Sequence, residues 1–325
     1  MASQAQKASR LLELHHDKAP LVLINVWDAA SARIIEHAGY PAIATSSAAV
    51  ANALGYADGQ HVPWPVMTGA IRRIVDAVRA PVTADIEAGF SSSLLELDRA
   101  VEQVIDAGVA GINLEDALPG YEDRGSLYPA REQVERIRTV RNTSARMKTR
   151  LVINGRTDAY WEKGRQEEEA LRNMLERGQA YLEAGVDCIF VPGLKKPEHI
   201  RAAVGEWKAP VNILAGPGVP SIPELTELGV RRISMGSGPM RAAMGLLRRI
   251  AEETTRAGTY SALVDGAVPY AEMNALFKRQ SRPGTFLRRS TAESLRAKKA
   301  DPAQARHLQS GPGIHIRKTV IALKN

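Results

Sequence analysis

The feature that most constrains the fold is a phrase that the chain repeats four times. Ala38-Gly39-Tyr40 precedes Ala42-Ile43-Ala44-Thr45, and Ala107-Gly108-Val109 precedes Gly111-Ile112-Asn113-Leu114. Ala184-Gly185-Val186 precedes Cys188-Ile189-Phe190-Val191, and Leu228-Gly229-Val230 precedes Arg232-Ile233-Ser234-Met235. Each reads as a helix end, a glycine suited to the left-handed position that follows it, and a short β-rich run. Four more runs, at 21–25, 82–85, 151–154 and 211–214, fall between them, three directly after Pro20, Pro81 and Pro210. A proline stops the helix before it and lets a strand begin.

Eight apolar strands alternating with helices predict an all-parallel sheet covered by helices, because a strand buried on both faces loses the polar alternation of a half-exposed one. The intervening segments carry apolar residues at three- and four-residue spacing, as at Leu94, Leu97, Val101, Val104 and Ile105. Eight repeats close more naturally into a (β/α)8 TIM-type barrel than into an open doubly wound sheet, and no GxGxxG follows the first strand. The eighth helix is expected at about 239–255. The barrel domain is accordingly set at 1–258, followed by a helical, basic C-terminal extension at 259–325 with a helix at about 292–309.

Active sites of such barrels form at the C-terminal ends of the strands. Here those ends read Asn25, Trp27 and Asp28; Thr45, Ser46 and Ser47; Asp85-Ile86-Glu87; Glu115-Asp116; and Asn154-Gly155-Arg156-Thr157-Asp158. Carboxylates crowded at two adjoining strands repel one another in a site with little water. A hard divalent cation relieves this, since Mg2+ takes oxygen ligands, usually one or two carboxylates with several waters retained. Strand alternation at Asp85-x-Glu87 puts both side chains on one side of the chain. Arg156 offers a planar fork for a substrate carboxylate, and Ser46 and Ser47 offer hydroxyl and backbone donors. A lone Asp at a strand end is more often a helix cap than a ligand, so Asp116 and Asp158 read as caps or as supports behind the site. His61 and His199 read as solvated loop and helix residues, and Cys188 as a buried structural thiol.

With these segments in view the chain resembles the isocitrate lyase and phosphoenolpyruvate mutase superfamily over about 21–255, and most resembles its methylisocitrate lyase-like members. The resemblance is carried by Asn25-Val26-Trp27-Asp28, Thr45-Ser46-Ser47, Leu54-Gly55-Tyr56-Ala57-Asp58-Gly59, Ala84-Asp85-Ile86-Glu87-Ala88-Gly89-Phe90, Gly111-Ile112-Asn113-Leu114-Glu115-Asp116 and Gly155-Arg156-Thr157-Asp158-Ala159. It implies a Mg2+ cofactor (Mn2+ an acceptable substitute) held by Asp85, Glu87 and Glu115. Trp27, Ser46, Ser47 and Arg156 would grip the carboxylate and 2-oxo oxygen of a pyruvate-like moiety, with Asp58 near the reacting group. The implied activity is C–C cleavage of a small 2-oxo or 2-hydroxy acid through a metal-stabilised enolate. Phosphonopyruvate C–P chemistry, and decarboxylation or hydrolysis of oxaloacetate, stay open beside it. The family also implies a homo-oligomer, dimer or tetramer, with C-terminal helices exchanged between subunits.

The sequence departs from the family at its lid. The lyases' Lys-Lys/Arg-Cys-Gly-His segment is absent from 117–129, as are the mutases' Lys and Asn-Ser pair, and Val191-Pro192-Gly193 stands where lyases carry a glutamate. Tyr121 and Glu122 are the candidates for the missing acid, on a polar loop suited to gating. A barrel that kept its carboxylate pocket but lost turnover is the alternative of another class.

The net charge of +7 is unevenly placed: 276–325 carry 12 Lys/Arg against 2 Asp/Glu, whereas 1–275 carry 31 against 34. A basic appendage on a slightly acidic body does not call for a nucleic-acid partner. No apolar h-region opens the chain and no run is long enough to span a membrane, so a cytoplasmic enzyme working on a small carboxylate is expected. A single cysteine is in keeping with that compartment.

Overall fold

In the computed structural model, residues 2–119, 126–161, 164 and 166–278 are described. The opening helix α1 (Gln4–Leu14) starts at a reciprocal cap, in which the Ser3 hydroxyl accepts from Gln6 N–H and the Gln6 side chain accepts from Ser3 N–H. The strands follow as β1 (Leu21–Leu23), β2 (Asn25–Val26), β3 (Ile43–Thr45), β4 (Val82–Asp85), β5 (Gly111–Glu115), β6 (Val152–Arg156), β7 (Cys188–Val191), β8 (Val211–Leu214) and β9 (Arg232–Ser234). All pairings are parallel, in the order β1-β9-β8-β7-β6-β5-β4-β3-β2.

The run expected as one strand at 21–25 is divided at Ile24. Its first part pairs with the last strand, Leu21 opposite Arg232, and its second with the next strand, Asn25 opposite Ala44. Because the two parts are contiguous in the chain, the sheet returns on itself as a nearly closed barrel. The stagger that closure demands of the strands explains why one strand serves two neighbours at different heights.

Helices α2 (Ala29–His37), α3 (Ser47–Ala53), α4 (Trp64–Ala77), α5 (Leu94–Asp106), α6 (Ala130–Arg146), α7 (Glu167–Ala184), α8 (Pro197–Trp207), α9 (Ile222–Glu227) and α10 (Gly238–Ala257) alternate with the strands. The four glycines of the repeated phrase adopt the left-handed backbone expected of them, with φ of 91°, 89°, 106° and 88° at Gly39, Gly108, Gly185 and Gly229. On α5 the buried stripe is Leu97, Ala100, Val101, Val104 and Ile105, whereas Leu94 at the helix start is exposed. The main core lies between strands and helices and includes Ile43, Ile112, Ile153, Ile189 and Ile233.

A second cluster joins α1 to the N-terminal end of the barrel through Ala8, Leu11, Leu14, Leu21, Leu23 and Val152. Burying a leucine such as Leu11 contributes about 1.5–3 kcal/mol, so α1 is a structural floor at the end opposite the expected site. Beyond α10 come two short helices, α11 (Ser261–Val264) and α12 (Tyr270–Ala275). The chain after α12 returns to the barrel, where Arg33 Nε donates to the Leu276 carbonyl at 2.7 Å. The helix expected at 292–309 and the rest of the basic segment after Lys278 lie outside the described residues. No helix among the described residues is long and apolar enough to cross a membrane.

Candidate active site

The C-terminal end of β4 is the centre of the site. Asp85 ends the strand, and its backbone N–H donates to Thr45 Oγ1 at 2.9 Å. Its Oδ2 accepts from the backbone N–H and the hydroxyl of Ser47, at 3.3 and 3.0 Å, on the first turn of α3. Glu87 does not continue the strand: its φ is 53°, a left-handed conformation uncommon for a residue with a side chain. Its position beside Asp85 therefore comes from a turn and not from strand alternation. Its N–H donates to Asp85 Oδ1 at 3.4 Å.

Glu87 and Glu115 share a cavity of about 290 Å3 with Ser47, Asp58, His61, Arg156 and Asp158, walled on one side by Leu118, Pro119 and Ser126. Burial, then the charges of Asp58 and Asp85, push the Glu87 carboxyl up to about 8. Glu87 Oε1 is buried and has no hydrogen-bond partner among the described residues. Burial also raises the Glu115 carboxyl well above its ordinary range; Arg156 opposes this, while Asp158, Asp85 and Glu87 add to it.

Arg156, at the end of β6, divides its fork. Nε and Nη2 each donate to the Asp158 carboxylate at 2.6 Å, a bidentate pair. Nη1 lies 2.5 Å from Glu115 Oε2, yet that oxygen makes no hydrogen bond among the described residues, so the contact is an ion pair without alignment. Burial alone would lower the guanidinium's pKa, but Asp158 and Glu115 beside it hold it well above its ordinary value. The Trp161 and Phe190 rings flank it, each centroid 5.7 Å from Cζ. At Gly193, where the chain turns with φ of 84°, a Cβ would collide with the Trp161 indole.

Behind this layer, Asp116 is fully buried and accepts from Tyr181 Oη at 2.7 Å, Asp158 N–H at 2.9 Å and Arg177 Nη1 at 3.2 Å. The two aspartates are thus supports rather than helix caps: Asp158 holds Arg156, and Asp116 holds the backbone of Asp158.

The residues singled out in sequence are therefore distributed unequally. Asp58, Ser47, Glu87, Glu115 and Arg156 meet at the cavity, with Asp85 bound to Ser47 just behind it. Ser46 does not reach it: its hydroxyl caps α3, accepting from Ala49 N–H at 3.4 Å. Trp27 packs against the core, and its N–H donates to the Ser31 hydroxyl at 3.1 Å. Tyr121 and Glu122 lie outside the described residues. His61, read in sequence as a solvated loop residue, is exposed but lines the cavity. Gln60 was not foreseen: with φ of 64° it accepts from Phe90 N–H at 2.5 Å and tethers its loop to the Glu87 turn. Nothing in its residue type announces that role. Asp158, read in sequence as a helix cap or a support, is the support, and the Arg156-x-Asp158 spacing turns both side chains to one side of an extended chain.

Among the described residues, no group of three or more His, Cys, Asp or Glu side chains is already gathered for a metal ion. The donor set nonetheless fits one. It consists of hard oxygens, a buried carboxylate oxygen on Glu87 without a partner among the described residues, and carboxyls whose pKa values are raised by burial first and by neighbouring carboxylates second. Mg2+ commonly takes only one or two carboxylates directly and keeps its waters, so a looser gathering suffices.

The family model for phosphoenolpyruvate phosphomutase matches residues 11–255. The chain is 38% identical to a candidate phosphonomutase of Burkholderia cenocepacia, whose crystal structure superposes with a TM-score of 0.72 over 76% of this chain and 99% of that one. It is 30% identical to 2-methylisocitrate lyase of Escherichia coli over 76% of this chain and 83% of the relative. It is also 30% identical to an oxaloacetate decarboxylase of Rhodopseudomonas palustris, over 76% and 81%.

Proposed function

The chain belongs to the phosphoenolpyruvate mutase and isocitrate lyase superfamily and is a lyase-type enzyme of it, and we propose that it cleaves a C–C bond in a small 2-oxo or 2-hydroxy carboxylic acid, with Mg2+ as cofactor. The observation that carries this reading is the crowding of carboxylates at the strand ends, where Glu87, Glu115, Asp58 and Asp158 line one cavity with Arg156 as the one cation among the described lining residues.

Asp85 and Glu87 would hold the ion, with Glu115 reached through water. Bound there, Mg2+ supplies a Lewis acid for charge that develops on oxygen during cleavage. The protein's own groups do the rest. Arg156 is kept in place by its two bonds to Asp158, which leaves Nη1 as the arm for a substrate carboxylate. A carboxylate arriving there would take the place of Glu115 in its unaligned contact with Nη1. The Trp161 and Phe190 rings keep water from that guanidinium and strengthen the pairing.

In cleavage of a 2-hydroxy acid the hydroxyl loses its proton, the bond from carbon two to carbon three breaks, and its electrons leave on carbon three. One fragment departs as a 2-oxo acid and the other must be protonated. Asp58, at the cavity wall, is the group assigned to the first proton, and Tyr121 or Glu122 to the second.

The equal identity to a methylisocitrate lyase and an oxaloacetate decarboxylase leaves the bond to experiment. A panel of substituted malates, citramalates and oxaloacetate, incubated with Mg2+ and followed by NMR, should yield a 2-oxo acid from at least one malate-type substrate. Carbon dioxide from oxaloacetate alone would favour decarboxylation, and no Mg2+-dependent conversion of any compound would sink the lyase assignment.

A homo-oligomer is part of the same proposal. On α10 only Met240 is buried, while Met244, Leu247, Leu263, Val264, Tyr270 and Phe277, on α10 and the segment after it, are exposed large apolar side chains. Exposed apolar side chains gathered in one segment suit an association surface. Sedimentation velocity should find a dimer or tetramer that Leu247→Glu shifts toward monomer; a monomeric parent protein would refute it.

A further inference from the structure

Arg136 on α6 is one of the largest fully buried side chains, only 2% exposed, and no carboxylate pairs with it among the described residues. A buried guanidinium with no carboxylate in contact is costly, and its Nε has no hydrogen-bond partner among the described residues. Its hydrogen bonds and its ring contact lead to the site. Nη2 donates to the Ala88 carbonyl and, at 3.2 Å, to the Ser91 hydroxyl. Its Cζ stacks 4.4 Å above the Tyr128 ring.

The loop it grips is the one that carries Glu87. Three of four consecutive residues there have left-handed backbone: Glu87 at 53°, Gly89 at 87° and Phe90 at 49°. Such conformations persist only where surrounding groups over-determine them. Gly89 has no room for a side chain, since a Cβ would collide with Leu97 and lie 3.6 Å from Arg136 Nη2. Tyr128, on the other side of the guanidinium, closes the loop that begins at Ala117. Its N–H donates to the Asp116 carbonyl at 2.8 Å, Leu118 N–H donates to the Ser126 carbonyl at 2.9 Å, and Arg177 donates to the Tyr128 carbonyl at 2.9 Å. Leu118, Pro119 and Ser126 of that loop line the same cavity as Glu87.

We propose that Arg136 is a positioning residue that clamps the Glu87 turn to the base of the 117–129 loop, fixing the two cavity walls relative to each other without touching any ligand. This deepens the active-site assignment above and rests on it for its consequence, though not for its geometry. The buried charge is retained because a cation can grip a backbone carbonyl, a hydroxyl and a ring face at once.

The test compares Arg136→Met, which keeps the volume without donors, with Arg136→Lys, which keeps a donating cation. In metal-free protein, hydrogen exchange at the Ile86, Glu87, Gly89 and Phe90 amides should accelerate at least about tenfold in the methionine variant, with α5 and α6 unchanged. Mg2+-dependent oxalate affinity, read by calorimetry, should fall about 10–100-fold. The lysine variant should recover part of both. Exchange at the parent rate in the methionine variant, or acceleration spread evenly over α5 and α6, would overturn the clamp. If the parent protein itself binds no oxalate with Mg2+, the site assignment fails, and the exchange pattern still decides whether Arg136 holds the turn.

Discussion

Replacing Arg156 with alanine is expected to lower kcat/KM on the substrate found by the panel by at least about a thousandfold, or roughly 4 kcal/mol of transition-state binding. Two losses combine. The substrate carboxylate loses its charge-assisted donor, and Asp158 and Glu115 lose the guanidinium that they share. Removing one partner of a buried ion pair typically costs about 3–5 kcal/mol, because the partner stays buried and uncompensated. Arg156→Lys separates the two effects: it keeps the charge but cannot bond Asp158 through two nitrogens while extending a third. It should retain the fold and still lose most of the activity. Full activity in the lysine variant would mean that the fork geometry is immaterial.

The second large effect is one of pH. Without metal, Glu87→Gln should make the protein more stable than the parent at pH 8 to 9, with a gap that closes toward pH 5. The Glu87 carboxyl holds its proton up to about 8 in the fold, against an ordinary value of 4.5. Between those values the folded state binds more protons than the unfolded chain, so the parent loses stability as pH rises through that window. Integrated over it, the difference is on the order of 3–5 kcal/mol, and Glu87 is 4% exposed, so solvent screens little of it. Glutamine keeps the shape and removes the charge. Saturating Mg2+ should reverse the order, since the ion rewards the carboxylate and not the amide. Thermal unfolding of both proteins from pH 5 to 9, with and without Mg2+, reads the prediction directly. A gap that does not change with pH would show that Glu87 is not held in its neutral form.

Both predictions depend on features that differ in how far the sequence discloses them. The barrel was legible because its signal is local and repeated. Gly39, Gly108, Gly185 and Gly229 mark where helices stop, and the apolar runs after them have no other use than burial. Closure through a divided first strand was not legible, since it depends on which edges meet in space and not on what Leu21 or Asn25 is. The cavity's carboxylates and Arg156 could be named because strand ends converge in any such barrel. Which of two adjacent serines turns inward could not be named. Ser46 caps a helix and Ser47 bonds Asp85, and only the phase of α3 decides between them. Arg136 was hidden for a similar reason. On α6 it looks like one of several exposed basic residues, yet the helix packs so that this one faces the core.

The central claim is that the acidic strand ends form a Mg2+-dependent site for a small carboxylate. Calorimetric titration with oxalate, a planar mimic of the enolate of a 2-oxo acid, tests it most directly. The account predicts binding with Mg2+, none without it, and loss of binding in Asp85→Ala at matched stability. Oxalate binding that is indifferent to Mg2+, or absent under both conditions, would contradict it.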